Sequence, residues 1–140
     1  MRQILPYSLW LGNVGDARDL RTLHASGIEA VVDLALDEKP ATFTRELVYC
    51  RFPIVDGSEN APWLLRLAVR TTATLLKAAI PTLVYCGHWM SRSPAIAAAA
   101  LAQVTGKPAQ QCLEIVLQSH GGDVTPALWH DVLLVLNRPE

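Results

Sequence analysis

Cysteine is scarce: the 140-residue chain holds three. So small and odd a number excludes a disulfide-stapled mini-protein, whose framework needs paired thiols at high density. Basic charge is not in excess either. Twelve Lys and Arg stand against 13 Asp and Glu, giving a net charge of −1 and a pI of about 6.4. A nucleic-acid binder carries a marked basic excess, so no nucleic-acid partner is expected. No apolar run approaches the roughly 18 residues that a membrane span needs. The longest, residues 94–102, is short and mostly alanine. The opening residues lack the apolar stretch and small-residue cleavage site of an export signal. Thiols without a disulfide framework then point to a reducing compartment, the cytoplasm. His24, His120 and His130 are scattered, and no His/Cys/Asp spacing resembles a zinc site. No Gly-rich loop carries the lysine of a nucleotide site, so no metal or cofactor is implied.

What is present suffices to fold. Hydrophobic residues make up 51% and charged ones 18%, which excludes a disordered chain. Residues 1–140 suit one domain. Tyr7-Ser8-Leu9-Trp10-Leu11 reads as a short strand closed by Gly12-Asn13. Residues 16–26 read as one helix with Ala17, Leu20, Leu23 and His24 on one side, and Gly27 sits where a left-handed cap is wanted. Residues 28–34 read as a buried strand. Residues 47–55 form a third strand candidate, and Pro53 inside it marks an edge position or an early end. Pro62 opens a helix on which Leu64, Leu67, Ala68, Thr71, Leu75 and Ala78 recur with a period near 3.6. Residues 82–86 are a compact apolar strand. Ser93 as cap and Pro94 in the first turn open an Ala-rich helix. Two further helices open at Pro108 and at Thr125-Pro126, separated by Gly121-Gly122. Strands alternating with helices predict an α/β domain: a mostly parallel sheet of about four or five strands flanked by helices, with a helix-rich C-terminal part.

The informative segment is Val84-Tyr85-Cys86-Gly87-His88-Trp89-Met90-Ser91-Arg92-Ser93-Pro94. A cysteine ends a buried strand, an arginine follows six positions on, and a helix begins at once. Amides curling toward a helix N-terminus donate inward to an anion. The helix dipole adds about half a positive charge there. A guanidinium matches two phosphate oxygens with a planar fork. Cysteines in such fields can fall from a pKa of about 8.5 to roughly 3.5–7.5. Residues 87–92 are therefore candidate oxyanion-binding residues and Cys86 a candidate nucleophile. Cys and Arg at this spacing mean little alone; the strand before, the helix after, the Ser93 hydroxyl and Pro94 sharpen the signal. Cys50 and Cys112 meet none of these requirements, but are the thiols with which Cys86 could form a disulfide.

This segment resembles the signature loop of the cysteine-dependent protein phosphatases, especially the compact dual-specificity group, where it reads His-Cys-x-x-Gly-x-x-Arg-Ser/Thr. Leu9-Trp10-Leu11-Gly12-Asn13 resembles that family's opening strand, residues 27–34 its Gly-Ile-x-x-Val-Ile-Asn-Leu strand, and Pro53-Ile54-Val55-Asp56 the segment carrying its general acid. The resemblance implies Cys86 as nucleophile, Arg92 as phosphate clamp, Ser93 as hydrogen-bond partner of the sulfur and Asp56 as general acid, with Glu59 in reserve. Asp56-Gly57 also reads as a plain turn. Asp33 and Asp37, near the end of another strand, are expected to be capping or solvated residues. Two positions depart from the family pattern: Tyr85 stands where histidine is usual, and Trp89 where the loop has glycine. Trp89 would form one wall of the pocket mouth or pack on a neighbouring loop. His88 would aid phosphate binding when protonated, or face solvent.

The expected function is hydrolysis of a phosphorylated protein or a small phosphomonoester through a phosphocysteine. The alternatives are a phosphate-binding pseudophosphatase, which Tyr85 and Trp89 motivate, and a rhodanese-like sulfurtransferase, which also places a reactive cysteine at a strand-to-helix loop.

Overall fold

A short N-terminal arm, β1 (Arg2–Gln3), runs antiparallel to β2 (Leu9–Asn13) at one edge of a five-stranded sheet. The computed structural model describes residues 1–43, 46–87 and 90–137. Beyond β2 the chain forms α1 (Val14–Arg18), α2 (Leu20–Ala25), β3 (Ala30–Ala35), β4 (Val48–Ile54), α3 (Pro62–Lys77), β5 (Thr82–Cys86), α4 (Arg92–Thr105), α5 (Ala109–His120) and α6 (Pro126–Asn137). The sheet order is β1-β2-β5-β3-β4, and β2, β5, β3 and β4 run parallel. The expected architecture is therefore observed, with β4 at the edge that Pro53 implies.

Side-chain alternation assigns the two faces. Leu9, Leu11, Ala30, Val32, Leu34, Val84 and Cys86 share one core with residues of α3, α4, α5 and α6. Val31, Ala35, Leu83 and Tyr85 face the other side, against Val14, Ala17 and Leu23. Every residue of β5 is buried, as a strand covered on both faces requires. Residues 92–101 of α4 are also all buried. Five of them are alanines, whose small side chains let α4 lie close to its neighbours without voids.

Three local expectations are corrected. Residues 16–26 are two helices, not one. Asp19 ends α1 and starts α2, with its side chain accepting from Thr22 N (3.2 Å) and Thr22 Oγ1 (2.6 Å). A carboxylate that bonds its own backbone competes with helix continuation. Next, Ser91 rather than Ser93 holds the N-cap position of α4, without a capping bond from its side chain, and Ser93 lies inside the first turn. Finally, the buried stripe of α3 is Leu65, Ala68, Val69, Thr72, Ala73 and Leu75. That is one residue round from the expected stripe: Leu67 is 43% exposed and Ala78 is exposed as well. Leucines occupy adjacent faces of this helix, so period alone did not choose between them. The left-handed cap at Gly27 is present, with φ of 75°.

The stripe makes a clean test. Leu65→Ala should lower stability in urea by about 2–5 kcal/mol, whereas Leu67→Ala should stay within about 0.5 kcal/mol. The reverse order would mean that α3 is rotated.

Candidate functional site

The C-terminal ends of the parallel strands carry the site. Cys86 ends β5, in register with Asn13 of β2, and is fully buried. Arg92 opens α4 with its side chain 7% exposed. Its NH1 donates to Asp37 Oδ1 (3.0 Å), to the Ile54 carbonyl (3.2 Å) and to the Leu34 carbonyl (3.4 Å). Leu34 and Ile54 lie at the ends of β3 and β4, so the guanidinium straps two strands from a helix that follows a third. Its Nε is buried with no partner among the described residues, and so is the Ser93 hydroxyl. Burying a polar group without a partner is costly, and both atoms lie in the first turn of α4, just after the loop that follows Cys86. Gly87 must stay small: a Cβ there would lie 3.0 Å from Arg92 NH2 and 3.4 Å from Asp37 Oδ2.

Asp56 follows β4 in a loop shaped by Asn60, whose side chain accepts from Val55 N (2.7 Å) and donates to the Val55 carbonyl (2.7 Å). Asp56 Oδ1 accepts from Ser91 Oγ and from Thr125 Oγ1, each at 2.7 Å. Asp56, Asp37 and Arg92 line one cleft of about 230 Å³ with Leu36, Ile54 and Val55. Glu59 is exposed and lies outside that lining. A larger cleft, about 520 Å³ beside Leu20, His24 and Glu29, opens at the opposite end of the strands.

The structure thus brings Arg92, Ser91 and Asp56 together and holds Cys86 and Ser93 at the same strand-to-helix junction. Met90 is fixed through its carbonyl, which accepts from Asp123 N (3.0 Å). His88 and Trp89 lie outside the described residues, and with them the expected pocket wall. Asp37 is solvated as expected, its side chain 66% exposed, and it also pairs with Arg92. Asp33 is not solvated but buried. It accepts from Ala35 N (2.8 Å) across a break in the β3–β4 register, and from the Tyr49 hydroxyl. Arg51 Nε stands 3.7 Å from it. Tyr85 joins this group on the sheet face opposite Cys86. Burial, then hydrogen bonding to Asp33, pushes the Tyr85 and Tyr49 phenols up from 10.0. Sequence reasoning missed Asp37, Tyr49 and Thr125, since no local spacing joins them to Cys86. Cys50 is level with Val84, two strands away through Val32. Strands about 4.8 Å apart put it beyond the roughly 7 Å limit for a disulfide with Cys86.

No protein-family model matches the chain, and no curated protein matches it. Solved structures do. Human DUSP28 superposes with a TM-score of 0.84 at 20% identity, covering 97% of this chain and 95% of its own. The fold is that of the dual-specificity phosphatases. DUSP15 gives 0.82 at 23% identity, covering 98% of this chain and 87% of its own. The human tyrosine phosphatase-like serine/threonine/tyrosine-interacting protein gives 0.79 at 22%, covering 96% and 93%. In the same fold, no helix among the described residues is long and apolar enough to cross a membrane.

The far-face tyrosines carry a pH signature. Both phenols ionise more readily in the unfolded chain, so unfolding releases protons once the pH exceeds 10.0. Their stabilising share is whole below that pH and is lost progressively as pH rises above it toward the raised folded values. Urea midpoints measured between about pH 8 and 11 should fall less steeply for Tyr85→Phe than for the wild type. Equal slopes would remove Tyr85 from the linkage.

Proposed function

We propose that the chain is a phosphomonoester hydrolase of the protein-tyrosine/dual-specificity type, working through a phosphocysteine on Cys86. The observation that carries this reading is Arg92: one guanidinium nitrogen is tied to three acceptors while Nε stays buried with no partner among the described residues. A cation held so firmly on one edge is preorganised to bind phosphate oxygens with the other. The α4 N-terminus adds its positive end to the same junction.

The chemistry follows in two steps. The Cys86 thiolate attacks phosphorus, and an S–P bond forms as the P–O bond to the leaving group breaks. Asp56, protonated, gives its proton to the departing oxygen. Asp56, now a carboxylate, takes a proton from water as that water attacks phosphorus, and the S–P bond breaks to return the thiolate. Ser93, whose hydroxyl has no partner among the described residues, can donate to the sulfur as it leaves. The substrate is a phosphorylated protein or a small phosphomonoester; neither metal nor cofactor enters the scheme. Arrival of substrate at a fully buried sulfur requires covering residues to shift.

Tyr85 in place of the family's histidine favours a second reading, a phosphate-binding module without turnover. One assay separates the two. Wild type should hydrolyse p-nitrophenyl phosphate, with vanadate competing, and Cys86→Ser should abolish the reaction. A wild-type rate no higher than that of Cys86→Ser would remove the hydrolase reading. Asp56→Asn should slow hydrolysis of poor leaving groups by about 10²–10⁴-fold and that of activated aryl phosphates far less. Equal slowing would take the acid role away from Asp56.

A further inference from the structure

The turn between α5 and α6 is braced against the catalytic loop. Asp123 N donates to the Met90 carbonyl (3.0 Å), and Thr125 N donates to Ser91 Oγ (2.9 Å). The fit is tight: a Cβ on Gly122 would sit 2.6 Å from the Met90 carbonyl oxygen, and Gly122 has φ of +126°. Only glycine suits both conditions. Thr125 is therefore held at a fixed place relative to Ser91, although 34 residues separate them in sequence.

The contacts around Asp56 favour one proton arrangement. Ser91 Oγ accepts from Thr125 N (2.9 Å) and has two acceptors in reach, Asp56 Oδ1 at 2.7 Å and Thr125 Oγ1 at 3.2 Å; the shorter, charge-assisted bond is the one to the carboxylate. Thr125 Oγ1 lies 2.7 Å from the same carboxylate oxygen and donates to it. With both hydroxyls donating to Oδ1, that oxygen has no lone pair left for a third proton. A proton arriving on Asp56 then sits on Oδ2.

We propose that Thr125 is a positioning residue for Asp56, fixing Oδ1 with Ser91 so that Oδ2 alone carries the transferable proton. This rests on the reading of Asp56 as general acid. In the first step Oδ2 gives its proton to the leaving-group oxygen as the P–O bond breaks; in the second it receives one from the attacking water. Throughout, Oδ1 keeps both hydroxyl bonds, so the carboxyl plane need not turn between the steps. Thr125 touches neither phosphorus nor sulfur and acts only through the acid.

The test compares Thr125→Val, which keeps the shape and the backbone donor but loses the hydroxyl, with Thr125→Ser, which keeps the hydroxyl. Aryl phosphates spanning good to poor leaving groups are the probes. Thr125→Val should lose about 10-fold in kcat for phenyl phosphate and little for p-nitrophenyl phosphate, with inhibition by vanadate unchanged. Thr125→Ser should restore the wild-type pattern. Added to Asp56→Asn, Thr125→Val should cost nothing more, because the group it orients is gone. Uniform slowing across leaving groups, or full additivity with Asp56→Asn, would overturn the positioning role while leaving the hydrolase intact. Should Thr125→Val fail to fold, a Thr125→Ser enzyme with altered leaving-group dependence would overturn it equally. A wild type that hydrolyses no phosphate would remove the hydrolase reading, and this proposal with it.

Discussion

A buried guanidinium has to find acceptors, and the site is organised around how Arg92 finds them. Removing a cation from water is expensive unless hydrogen bonds and an opposite charge replace the solvent. Two strand-end carbonyls and Asp37 do this through NH1. The same bonds set the spacing of β3 and β4 relative to α4. Gly87 leaves the other side of the guanidinium uncrowded. Under the proposed function, binding of an anion and closure of the sheet's C-terminal end share one side chain.

Directly beneath, the sheet separates two chemistries by pleat alone. Cys86 and Tyr85 are neighbours in sequence but belong to opposite cores. On the far face, Asp33 collects the Tyr49 hydroxyl, the Ala35 amide and the nearby Arg51. The Tyr49 hydroxyl in turn accepts from Ala41 N (3.2 Å), which ties the segment after β3 to β4. That segment also carries Asp37. Order on the far face therefore reaches the clamp through the backbone rather than through Cys86. A histidine before the cysteine would meet the same carboxylate as a potential cation; a tyrosine meets it as a neutral donor.

Much of the fold was legible because its signals are local. Val84 and Leu83 in a run of apolar residues, Gly27 at a left-handed cap and Pro53 at an edge each report their own surroundings. The strand-to-helix passage from Cys86 to Arg92 was legible for the same reason. The α3 stripe was not, since leucines on adjacent faces leave the period satisfied by two rotations and only packing chooses Leu65 over Leu67. Nor were the partners that Arg92, Asp56 and Asp33 find. Asp37, Thr125 and Tyr49 meet them across 55, 69 and 16 residues of chain, and no local spacing announces such pairings before tertiary structure joins them.

The borders of the sheet have a consequence for solubility. On one side the terminal strand is two residues long; on the other, β4 pairs only with β3 and contains Pro53, which has no amide proton to offer. A stray strand arriving at either border finds an interrupted row of donors and acceptors. The exposed Val48 on that outer strand would otherwise invite such pairing. The central parallel strands are thus shielded from cross-chain zippering at both borders, a protection supplied by backbone chemistry rather than by surface charge.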